Sequence, residues 1–86
     1  MPSKTVKVGS RVGLHARPAA IIAGKAAEFE EEITIGTAGE EPVDASSMML
    51  IMTLGAECGT EVTVESLNSE AVAAVAELVS KDLDND

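Results

Sequence analysis

Thr60-Glu61-Val62-Thr63-Val64-Glu65 alternates polar and apolar residues without a break, the period-two pattern of a strand with one buried and one solvated face. Val62 and Val64 share the inner side, while Glu61, Thr63 and Glu65 share the outer. Two shorter runs repeat the pattern: Thr5-Val6-Lys7-Val8, with both valines inward, and Ile33-Thr34-Ile35. Thr5, Lys7, Thr34, Glu61, Thr63 and Glu65 then make one polar sheet face, so helices can cover only the other. Gly39-Glu40-Glu41-Pro42 supplies a turn, and Val43-Asp44 begins a short further strand.

The segments between follow the helical period. Residues 16–29 read as an alanine-rich helix with Ala19, Ile22, Ala23 and Ala26 on one stripe, small enough to sit close to a sheet. Gly24 within it costs about 1 kcal/mol relative to alanine. Ser47 is a good N-cap for the apolar run that follows it, and Gly55 closes that run as a left-handed terminator. A last helix, capped by Asn68 or Ser69, carries Val72, Val75, Ala76, Val79 and Leu83 on one face, and the acidic end Asp82–Asp86 frays. The order β-α-β-β-α-β-α predicts one α+β domain over residues 1–86. Its architecture is an open-faced β-sandwich: a four-stranded, largely antiparallel sheet with three helices on one face.

Composition narrows the chemistry. The 86 residues include one aromatic, Phe29, and one cysteine, Cys58. A chain this short hides only roughly 60–65% of its unfolded surface, which disfavours a deep pocket around a large organic cofactor, and none is expected. One thiol excludes an internal disulfide, a Cys-x-x-Cys pair and an all-thiolate metal site, and Cys58 reads as an ordinary thiol. The apolar run Met48–Met52 falls far below the roughly 20 residues of a membrane span, and the N-terminus has no apolar region of a secretory signal. A cytoplasmic location is the expectation.

Net charge is −9, against a nucleic-acid partner. Its distribution is uneven: residues 1–25 hold Lys4, Lys7, Arg11, Arg17 and Lys25 and no acid, whereas the remainder holds all 15 acids and one cation, Lys81. The single histidine, His15, lies in the basic segment, within Gly13-Leu14-His15-Ala16-Arg17-Pro18-Ala19-Ala20. Pro18 lacks an N–H and is harmless in a first helical turn, so the helix starts near His15 or Ala16. That puts the imidazole beside donors that have no intrahelical acceptor and at the positive end of the dipole, an anion cradle. Arg17 adds a guanidinium able to grip a phosphate with two parallel hydrogen bonds. The field favours the neutral, nucleophilic imidazole and any negative charge placed on it. A capping histidine without chemistry is the bland alternative; a metal site lacks a second histidine or a nearby thiol.

The eight residues Gly13–Ala20 resemble the active-site signature of the HPr family, the histidine-containing phosphocarriers of the bacterial phosphoenolpyruvate-dependent sugar phosphotransferase system. The resemblance extends over nearly the whole chain: its length, element order, histidine loop and the region about Ser47. It implies a relay, not a stand-alone catalyst. His15 would accept a phosphoryl group on Nδ1 from phosphorylated enzyme I and pass it to enzyme IIA units of sugar permeases. Arg17 and the backbone N–H groups of Ala16 and Arg17 would hold it. Phosphoryl transfer is largely positioning and charge neutralisation, so a nucleophile and a cradle suffice, and successive partners suit a monomer.

Ser47-Met48-Met49-Leu50-Ile51-Met52-Thr53-Leu54 is apolar around nearly its whole helical wheel. If Ile51 and Leu54 face the core, Met48, Met49 and Met52 form much of an exposed patch, and flexible methionines suit a surface that meets several partners. The family uses this helix to contact partners. Ser47 matches the serine that a kinase phosphorylates in many relatives, although here Ser46 stands where a basic residue commonly precedes it. Two other readings use the same residues differently. A nitrogen-regulatory paralogue would keep the chemistry and change the acceptors; a non-catalytic module working through the methionines would not need His15.

Overall fold

The computed structural model describes residues 2–81. Four strands, β1 (Ser3–Lys7), β2 (Ile33–Thr37), β3 (Val43–Asp44) and β4 (Glu61–Ser66), alternate with three helices, α1 (Ala16–Ala26), α2 (Met48–Thr53) and α3 (Ser69–Ser80). This is the expected α+β order. Leu83 and the acidic end, read above as the tail of the last helix and a fraying segment, lie outside the described residues.

The sheet runs β1-β4-β2-β3 and every pairing is antiparallel. The strand with the cleanest alternation, β4, therefore lies inside the sheet, paired on both edges. Val62 and Val64 are fully buried, while Val62 faces Val6 of β1 and Val64 faces Ile35 of β2. Outward, Thr5 and Thr63 are cross-strand partners whose hydroxyls lie 2.8 Å apart. Edge strand β1 is mostly exposed: Val6 is half-buried, and Val8, just past the strand, is the buried one. Val8 is held there by its N–H donating to the Thr60 carbonyl.

Aliphatic side chains from both layers make one core. Ala19, Ile22, Ala23 and Ala26 of α1 meet Ala71, Val72, Val75, Ala76 and Val79 of α3 over Ile33, Ile35, Val62 and Val64 of the sheet. Each fully buried Val or Ile is worth about 1.5–3 kcal/mol. Asn68 caps α3, its Oδ1 accepting from Glu70 N (2.9 Å) and Ala71 N (3.3 Å) while Nδ2 donates to Glu31 (3.0 Å). That last bond holds the Glu31 carboxyl below its usual pKa.

Helix α1 stops at Ala26, short of the predicted Phe29. Beyond it Glu28 and Phe29 donate to carbonyls only three residues back, in tightened turns. Glu28, Glu30, Glu31 and Glu32 crowd that end, and carboxylates are disfavoured at the negative pole of a helix. Phe29 still packs against the core.

Helix α2 corrects the reading of the methionines. With Ser47 as N-cap, Met48, Ile51 and Leu54 recur every third residue and turn inward: Ile51 is fully buried, and Met48 and Leu54 pack partly against the core. Met49 (72% exposed), Leu50 (40%) and Met52 (36%) form the outward face. Leu50, not Met48, completes the exposed patch.

Three substitutions test this packing. Gly24 is an exposed helix-interior glycine whose added Cβ would meet nothing within 4 Å. Gly24→Ala should raise unfolding free energy by about 0.5–1 kcal/mol in denaturant titration; no change or a loss would contradict the α1 geometry. Met48→Asp should destabilise the fold by about 2 kcal/mol or more, whereas Met49→Asp should leave the midpoint within about 0.5 kcal/mol of the parent. Equal effects would contradict the assignment of faces.

Candidate functional site

The loop that carries His15 is tied down on both sides. Gly9 donates to Val79 at the end of α3 (3.0 Å), Gly13 closes a turn to the Ser10 carbonyl (3.0 Å), and Leu14 donates to the Ala56 carbonyl (2.9 Å). Gly13 has φ +76°, and a Cβ there would fall 2.5 Å from the Ala56 oxygen. Backbone conformation and space both demand glycine at this point. Leu14 is buried, anchoring the loop in the core.

His15 follows as the N-cap of α1, with extended backbone (φ −82°, ψ −170°), and its carbonyl accepts the first helical hydrogen bond, from Ala19 N at 2.9 Å. The imidazole is exposed, makes no capping hydrogen bond and has no hydrogen-bond partner among the described residues. Its nitrogens are thus not spent on the fold. No acid stands in the first turn of α1. Ala16 and Arg17 are the first two helical residues and both are exposed; their N–H groups have no acceptor inside the helix. Pro18, third in the helix, is buried and forfeits no helical bond. The helix start, the cap and the cation therefore coincide as the sequence predicts.

A cavity of about 380 Å³ opens beside the imidazole, lined by Leu14, His15, Met52, Gly55, Ala56 and Glu57. It joins three elements separated in sequence: the loop before α1, the last turn of α2 and the turn that follows. Met52 thus brings the exposed face of α2 to the histidine. Gly55 (φ +63°) ends α2, its N–H donating to Met52 at 3.3 Å, as a left-handed terminator should. No local pattern indicates that Glu57 lines the cavity of His15; the two loops are joined by the Leu14–Ala56 hydrogen bond and, further along, by Gly59 N donating to the Val8 carbonyl at 2.8 Å. Cys58 is exposed in the same turn.

Ser47 lies at the far end of α2, about 7.5 Å along the helix axis from Met52 at 1.5 Å per residue. It is half-buried, and its Oγ accepts from Leu50 N at 3.3 Å. The approach to it is an Asx turn: Asp44 Oδ1 accepts from Ser46 N (2.9 Å) and Ser46 Oγ (2.7 Å), and Ser47 N donates to the Asp44 carbonyl. These bonds favour ionised Asp44 and hold its carboxyl below the usual range. A carboxylate therefore stands one turn from Ser47. Among the described residues, no group of three or more His, Cys, Asp or Glu side chains could hold a metal ion, and no helix is long and apolar enough to cross a membrane.

Known proteins share this arrangement. Residues 2–81 match the family described as the PTS HPr component phosphorylation site. The phosphocarrier protein HPr of Pseudomonas putida is 36% identical over 98% of this chain and 97% of its own length. That of Streptomyces coelicolor is 39% identical over 94% and 86%. Among solved structures, an HPr from Thermoanaerobacter tengcongensis superposes with a TM-score of 0.88 at 30% identity, covering 100% of this chain and 99% of that one. An HPr from Bacillus anthracis reaches 0.81 at 38% identity, covering 90% and 94%. The chain belongs to the HPr family and is a phosphoryl carrier of the phosphotransferase system, a relay rather than a catalyst.

Proposed function

We propose that His15 is the atom-bearing residue of this relay, taking the phosphoryl group on Nδ1 from phosphorylated enzyme I and yielding it to enzyme IIA units of sugar permeases in the cytoplasm. One observation carries the reading: the imidazole caps α1 by its backbone alone, so both ring nitrogens stay available at the positive end of a helix. In the forward step an Nδ1 lone pair attacks phosphorus. The bond from phosphorus to the donor breaks, and its electron pair leaves with the donor. Nδ1 must be unprotonated to attack, and the N–H then resides on Nε2. The added dianion lies where the Ala16 and Arg17 N–H groups and the Arg17 guanidinium can donate to it. Little else is required, because the cradle supplies position and counter-charge.

Docking falls to Met49, Leu50 and Met52, with Met48 supporting them from beneath. Met52 lines the histidine cavity, so a partner seated on α2 stands over the phosphoryl group. The chain meets one partner at a time as a monomer. A serine kinase acting at Ser47 would add about −1.5 to −2 charges at the edge of this face and so oppose docking. The Asp44 carboxylate next to it works against that modification.

With enzyme I and labelled phosphoenolpyruvate, the parent should acquire acid-labile phosphate and His15→Ala none, with unchanged circular dichroism. Label persisting on His15→Ala would defeat the assignment. Arg17→Glu should slow acceptance at least roughly tenfold with the unfolding midpoint near that of the parent; equal rates would refute the cradle.

A further inference from the structure

Glu57 is the one acid lining the cavity that holds His15, and the relay as described makes no use of it. Its backbone is fixed: the Glu57 N–H donates to Thr60 Oγ1 at 3.1 Å, its carbonyl accepts from Thr60 N at 2.9 Å, and the neighbouring Ala56 carbonyl holds Leu14. Its side chain is exposed, and the carboxylate has neither a hydrogen-bond partner nor an ion pair among the described residues. A negative charge with no ion-pair partner among the described residues thus lines the same cavity as the imidazole. Among the residues lining the cavity, His15 and Glu57 are the two that can carry charge, and α2 brings the apolar Met52 to it.

We propose that Glu57 sets the phosphoryl-transfer potential of the carrier, as a positioning charge opposed to the Arg17 cradle. This rests on His15 being the acceptor. After transfer, the carboxylate repels the phosphoryl dianion across the cavity. That repulsion lowers the stability of the phosphorylated chain relative to the free one and drives the group onward to an acceptor. The exchange is balanced: phosphorylated enzyme I and free carrier give free enzyme I and phosphorylated carrier, with the bond from phosphorus to the donor broken and one N–P bond formed. A relay gains from this, because a cradle that held the dianion too firmly would stall at the intermediate.

Glu57→Gln removes the charge and keeps the shape of an exposed side chain. At low salt the exchange equilibrium with enzyme I should move toward phosphorylated carrier by roughly two- to fivefold, the scale of one charge acting through water across such a cavity. The change should shrink at high ionic strength, as an exposed electrostatic effect must. An unchanged exchange ratio at low salt, with the parent accepting label on His15, would overturn the inference while leaving the relay intact. A parent that accepts no label on His15 would instead overturn the relay reading itself. A ratio that shifts equally at low and high salt would also contradict an electrostatic role.

Discussion

The hydrogen bond from Leu14 N–H to the Ala56 carbonyl joins the start of α1 to the turn after α2, and the geometry of the site depends on it. Leu14 is buried and Gly13 passes too close to Ala56 for any side chain, so His15 enters its helix from a fixed direction. Its backbone does the capping that a serine or aspartate side chain would normally do. The fold thereby gives up a side-chain cap, and what it keeps is an imidazole with no hydrogen-bond partner among the described residues. Placing a reactive group at a helix end also leaves the first N–H groups facing the same solvent as the ring.

Helix α2 solves a second problem with few residues. Six residues give less than two turns, too short for a stable helix on its own, so it must be held by Ile51, Met48 and Leu54 in the core and by Ser47 at its start. The same short length leaves Met49, Leu50 and Met52 in solvent. Exposed apolar side chains are tolerable on a domain of net charge −9, where repulsion between copies limits self-association. The proposed docking face and the proposed phosphoryl acceptor are thus joined through one residue, Met52, which lines the cavity of His15.

Much of this is legible in the residues because local and tertiary demands agree. The alternation of β4 is clean because that strand has a neighbour on each edge and a core on one face. Pro18 and His15 mark the start of α1 because proline is acceptable only in the first turn. Other features depend on contacts between distant segments. The neighbours of β4 follow from pairing residues 3–7 with 61–65, which no local pattern encodes. The end of α1 is set by a run of glutamates that period counting ignores. Met48 points inward because the Ser47 cap fixes the phase of the wheel, and apolar residues on nearly all sides hide that phase in the sequence. Glu57 lines the cavity of His15 from 42 positions away, because a backbone bond joins the two loops.

The central claim is that backbone amides at the start of α1 and the Arg17 side chain hold the phosphoryl group. Amide NMR spectra of the isotopically labelled protein, recorded before and after phosphorylation, address it at single-residue level. The account predicts the largest downfield amide-proton displacements at Ala16 and Arg17, a sharpened Arg17 guanidinium signal, and near-zero changes along α3. Displacements centred elsewhere, with Ala16 and Arg17 unmoved, would contradict it.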